Sequence, residues 1–135
     1  MFYKIMEIDV IAPEYARKLE KAGITTTEHL LTKAHDATTR AQLAVQTGIG
    51  ERHLGKWVAM ADLMRVRGIG RQYSELLQAV GVDSAQKLLT LTPEELVRLM
   101  DEQKKTEKLA GGVPKVTDVE RWQNELRTPV FAHAK

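Results

Sequence analysis

Two Gly-Ile-Gly triplets, Gly48–Gly50 and Gly68–Gly70, bracket residues 51–67, where Leu54, Trp57, Val58, Ala61 and Met64 recur at helical spacing. The pattern predicts one amphipathic helix of about 26 Å, punctuated by glycine at both ends. Arg52, His53, Lys56 and Arg65 fall off the apolar stripe and are expected to face water. Beyond the second triplet, Tyr73, Leu76, Leu77 and Val80 repeat the spacing, giving helix, Gly-Ile-Gly, helix. Two glycines around one aliphatic suit a sharp hairpin with positive φ, whose middle side chain anchors the turn in the core.

A turn of this kind aims backbone N–H groups outward from the positive end of the following helix, where an anionic oxygen fits. Arg67 and Arg71 bracket the second triplet, and Arg52 and Lys56 follow the first. The candidate phosphate-binding set is therefore Gly48, Gly50, Arg52, Lys56, Arg67, Gly68, Gly70 and Arg71. The second triplet is the stronger expectation, because Glu51 directly follows the first and repels phosphate.

Leu63, Val66, Gly68, Ile69, Gly70, Ser74 and Leu77 resemble the apolar, Gly-apolar-Gly, small, apolar pattern of the helix-hairpin-helix family. That resemblance implies binding of the DNA sugar-phosphate backbone without base reading. The order and spacing of the whole chain also resemble a small bacterial tandem helix-hairpin-helix family whose domain has no assigned function. Such membership implies a fold and leaves the role open.

Earlier in the chain, Ile5, Ile8, Ile11, Ala16 and Leu19 occupy the apolar and small positions of the same pattern, while Val10 and Ala12 stand where Gly68 and Gly70 stand 58 positions later. This hairpin keeps its scaffold and loses the glycine backbone. Tyr15, Leu19, Gly23, Ile24, Leu30 and Leu31 map onto Tyr73, Leu77, Gly81, Val82, Leu88 and Leu89 at the same offset, the mark of an internal duplication. Each copy continues to a tryptophan, Gly48 to Trp57 in the first and Val113 to Trp122 in the second.

Gly23 reads as a helix C′ residue, Thr25 with Glu28 and Thr117 with Glu120 as capping boxes, Asp36 as an N-cap, and Thr92-Pro93 with Glu95 as another helix start. The expected fold is all-α, with duplicated helix-hairpin-helix units and about eight or nine short helices in one compact bundle. The expected domains are a first repeat over 1–65, a second over 66–128 and a flexible tail over 129–135, with Gly111 and Gly112 marking a loop.

Net charge is only +2, so any nucleic-acid surface must be local. Arg52, Lys56, Arg65, Arg67 and Arg71 against Glu51 and Asp62 provide one. The chain has no cysteine, which excludes disulfides and thiolate metal sites and makes a reducing cytoplasm the default compartment. No apolar run approaches a membrane span, and Lys4, Glu7 and Asp9 argue against a secretory leader. His29, His35, His53 and His133 lack ligand spacing, so no metal or other cofactor is expected.

Lys104, Lys105 and Lys108 alternate with Glu102 and Glu107 as a solvated face, and Tyr15, Tyr73, Trp57 and Trp122 lie on apolar stripes and read as core. Nothing points to catalysis. The preferred function is sequence-independent binding of nucleic-acid backbone phosphates, duplex DNA by resemblance. The alternative is a protein-interaction or adaptor module of the same origin that has lost DNA binding and engages a protein partner or a second copy of itself.

Overall fold

The computed structural model describes residues 2–8, 10–107 and 112–128. Lys108, Gly111, His133 and the expected tail 129–135 lie outside them, as does the side chain of Glu107. Among the described residues the chain is all-helical, with seven α-helices: α1 Pro13–Lys21, α2 Thr27–Lys33, α3 Ala37–Thr47, α4 Glu51–Met64, α5 Arg71–Ala79, α6 Pro93–Glu107 and α7 Val116–Leu126. Ile5–Glu7 and Gln86–Thr90 wind as short 3-10 segments, so the count differs from the eight or nine helices expected. At the second of these, the Gln123 side-chain amide donates to the carbonyls of Leu88 at 2.9 Å and Leu91 at 2.8 Å, which diverts them from an α ladder.

The chain divides into two compact units, Met1–Asp62 and Leu63–Lys135. In the first unit, Ile5, Leu19, Ile24, Leu30 and Leu54 are fully buried. Its N-terminal segment is tied down by Ile5 N–H to Thr25 O at 2.9 Å and Thr27 N–H to Tyr3 O at 2.8 Å. In the second unit, Leu63, Val66, Ile69, Leu77, Leu96 and Trp122 form one apolar cluster. Burial of this kind contributes roughly 1.5–3 kcal/mol per large side chain.

Helix ends follow backbone chemistry closely. α1 stops because Gly23 adopts φ 84, with Gly23 N–H bonded to Glu20 O at 2.9 Å and Ile24 N–H to Leu19 O at 2.9 Å. α5 stops the same way, at Gly81 with φ 92, where Gly81 N–H reaches Gln78 O at 3.0 Å and Val82 N–H reaches Leu77 O at 2.8 Å. Both are Schellman caps, closed by buried Ile24 on Leu19 and Val82 on Leu77.

Two helix starts are displaced from their expected residues. α2 is capped by Thr26, whose hydroxyl accepts from His29 N–H at 3.1 Å, because Thr25 instead binds the His29 ring. α7 starts at Val116, and Asp118 accepts from Lys115 N–H at 2.9 Å, the role expected of the Thr117 and Glu120 pair. The caps of Asp36 on Thr39 at 2.7 Å and Thr92 on Glu95 at 3.1 Å stand where expected.

Candidate nucleic-acid interface

The first triplet links α3 to α4. Gly48 is the left-handed C-cap of α3 at φ 75, its N–H bonded to Ala44 O at 2.8 Å. Ile49 is 1% exposed and anchors the turn, as its position between glycines implied. Gly50 begins α4, its carbonyl accepting from Leu54 N–H at 3.2 Å. A Cβ at Gly48 would meet nothing within 4 Å, and one at Gly50 only the His53 ring at 3.9 Å, so this backbone is open to an approaching ligand. Arg52 and Lys56 are exposed, and among the described residues neither pairs with a carboxylate. Glu51 is exposed beside them.

The second triplet links α4 to α5 through two successive tight turns, Val66 N–H to Leu63 O at 3.1 Å and Ile69 N–H to Val66 O at 3.1 Å. Ile69 is again 1% exposed. Gly68 has φ 97, and a Cβ there would lie 2.9 Å from Trp122 Nε1, so this glycine is required by the fold itself. Gly70 is an extended N-cap at φ −94 with open space around it, and needs no positive φ. The expectation of positive φ at both glycines of each triplet therefore holds for the first glycine of each and fails for the second.

The charges around this turn are engaged. The backbone N–H of Arg67 donates to the Glu125 carboxylate at 2.8 Å, and the Arg71 guanidinium lies 3.4 Å from Glu75. Arg67 is exposed and Arg71 half-buried. Arg65, expected to face water, is only 8% exposed. It lies past the last turn of α4, where the chain has already left the helical stripe.

Both triplets share one feature. Among the described residues, the backbone N–H groups of residues 50–53 and of residues 70–73 have no hydrogen-bond partner, and no side chain caps Gly70. The two hairpins without glycine differ. At α1 the Tyr15 N–H turns back to Ala12 O at 3.0 Å, and at α7 Asp118 occupies the Lys115 N–H. That backbone hydrogen bond, more than the neighbouring Arg121 guanidinium, holds the Asp118 carboxyl below its usual range.

Among the described residues no group of three or more His, Asp or Glu is placed to hold a metal ion, and no helix is long and apolar enough to cross a membrane. Lys105 pairs with Asp101 at 3.0 Å, and Lys104 is half-buried. Sequence reasoning missed Glu125, which acts across 58 positions, and the seat of Trp122 on Gly68.

An all-helical chain of two units, carrying two Gly-Ile-Gly turns ahead of uncapped helix starts, is the class of protein defined by this geometry. A family model described as Domain of unknown function (DUF4332) matches residues 9–128, and the chain belongs to that family. No curated protein and no solved structure matches it.

Proposed function

We propose that this protein binds the phosphate backbone of nucleic acid, duplex DNA in the first instance, without reading sequence. The observation that carries this reading is the pair of Gly-Ile-Gly turns that leave the N–H groups of residues 50–53 and 70–73 unpartnered among the described residues, beside exposed Arg52, Lys56 and Arg67. Donors at a helix start with flanking cations favour an anionic oxygen, and phosphate contacts carry no base information. Gly48, Gly50 and Gly70 supply open backbone, Gly68 shapes the turn, and Arg71 contributes after release from Glu75.

The helix-hairpin-helix and duplication readings support this and rest on paired geometry. The turn bonds from Ile8 to Ile5 and from Ile11 to Ile8 repeat 58 positions on as those from Val66 to Leu63 and from Ile69 to Val66. The two Schellman caps repeat at the same offset, and the packing of Tyr15 on Trp57 recurs as Tyr73 on Trp122, the tyrosines 58 and the tryptophans 65 positions apart, each pair tilted by 57°. No catalytic chemistry is proposed.

A second reading, a protein-interaction or adaptor module, is favoured by the exposed Val45 (87%) and Met6 (59%) on the first unit and by the carboxylates engaged at the second triplet. Fluorescence anisotropy of a labelled duplex at several salt concentrations separates the two. Backbone binding gives log K falling linearly with log salt, by about 0.9 per phosphate neutralised, whatever the sequence. Undetectable affinity at low salt removes the nucleic-acid reading and leaves the adaptor.

A further inference from the structure

Tyr15, His53 and Trp57 form a three-ring cluster in the first unit. The His53 ring stacks on Trp57 at 5.7 Å and 26°, and it lies 5.4 Å from the Tyr15 ring, which is itself 5.5 Å from Trp57. Trp57 is buried at 3% exposure, Tyr15 is half-buried and His53 is exposed, so the cluster is a platform with a buried floor and an aromatic rim in solvent. An exposed histidine packed on other rings has no capping or ion-pair duty here, since its side chain makes only ring contacts among the described residues.

One cation is placed on the rim and others neighbour it in sequence. Lys18 Nζ sits 5.8 Å from the Tyr15 ring centroid, Arg17 is exposed on the same helix, and Arg52 and Lys56 flank His53 in sequence. Glu14 and Glu51 are the carboxylates on these turns, leaving positive charge in excess. In the second unit Tyr73 and Trp122 pair at 5.4 Å, but Asp118 stands where the matching of Gly48–Trp57 to Val113–Trp122 places the counterpart of His53. A carboxylate there repels a phosphate and offers no ring.

From this juxtaposition we infer that the His53 and Tyr15 rim stacks an unpaired nucleobase, whose neighbouring phosphates are held by Arg52 and Lys56. A flat ring with a π-face matches any base, and neighbouring cations match the charge of the strand, the combination used for single strands. The inference rests on the backbone-binding reading and sharpens it: the first unit prefers an unpaired strand, the second has no platform. The notion of Tyr15 and Trp57 as plain core fits Trp57 alone.

The test is anisotropy at low salt with three labelled probes, an oligo-dT strand, an abasic strand of equal length and a duplex. The wild type binds oligo-dT more tightly than the abasic strand. His53→Ala lowers oligo-dT affinity about five- to tenfold, the lower part of the range for loss of one stacked base, and leaves the abasic strand and duplex unchanged. His53→Phe restores oligo-dT binding, and circular dichroism confirms native helix content in both variants. Equal wild-type affinity for oligo-dT and abasic strand, or a His53→Ala loss shared by all three probes, overturns the platform while duplex binding keeps the backbone reading standing. Absence of binding to every probe removes both.

Discussion

The two Gly-Ile-Gly turns read almost identically in sequence and differ in what surrounds them. At Gly48–Gly50 the glycines are open and Arg52 and Lys56 are unpaired among the described residues. At Gly68–Gly70 the first glycine is packed against Trp122, the Arg67 N–H is taken by Glu125 and Arg71 leans on Glu75. The turn expected to be stronger is thus the more occupied one. A motif specifies the course of the backbone, while distant residues decide whether its donors and charges are available. The position in the first unit that matches Glu125, by the tryptophan register, is Met60, which is 2% exposed and carries no charge.

The largest expected difference between the turns is in stability. Gly68→Val meets both a left-handed φ and the Trp122 ring, and is expected to cost about 2–4 kcal/mol, read as a lower urea midpoint. Copying Val10 and Ala12 onto Gly68 and Gly70 therefore carries a fold cost at the first position, where the added Cβ would lie 2.9 Å from Trp122 Nε1. Gly70→Ser, at an extended N-cap with open space, is expected instead to stabilise by about 0.5 kcal/mol while its hydroxyl competes for the free N–H groups. Equal losses at the two positions would break the distinction.

Smaller, and specific to the second turn, is the effect of the Glu125 charge. Glu125→Gln keeps an acceptor for the Arg67 N–H and removes the repulsion, so duplex affinity rises about two- to fivefold at low salt, and the gain fades as salt screens it. Glu120→Gln, an exposed carboxylate on the same helix, controls for net charge. An equal gain from both variants would deny Glu125 any local role.

The smallest effect concerns the caps. Backbone hydrogen bonds, from Thr39 to Asp36 and from Lys115 to Asp118, lower both carboxyls below 3.8. A depressed folded-state value means a contribution present above pH 3.8 and lost as pH falls through the lowered values. Asp118→Ala is therefore expected to lower Tm slightly at pH 7, and the difference from wild type should vanish in acid once pH has fallen through the lowered value. A difference that persists in acid would assign the loss to packing.

Local chemistry was legible in the sequence. The Ile49 and Ile69 anchors, the Gly23 and Gly81 caps and the Asp36 and Thr92 starts all follow from residues within one or two turns of each other. What escaped depends on separation. Glu125 reaches Arg67 across the second unit, Gln123 diverts carbonyls more than thirty positions away, and Arg65 is buried just past the end of α4 at Met64, where helical periodicity no longer assigns its side. Periodicity also gives no hint that Gln86–Thr90 winds as a 3-10 segment, since apolar spacing hardly distinguishes one short helical turn from another.

The salt dependence of duplex binding, measured with matched charge changes, distinguishes which hairpin meets phosphate. Arg52→Ala with Lys56→Ala should lower the slope of log K against log salt by about two, because both cations are unpaired among the described residues, while Arg67→Ala with Arg71→Ala should lower it by about one or less. The reverse order, or a slope that neither double substitution alters, would contradict the assignment of the open first turn as the principal backbone contact.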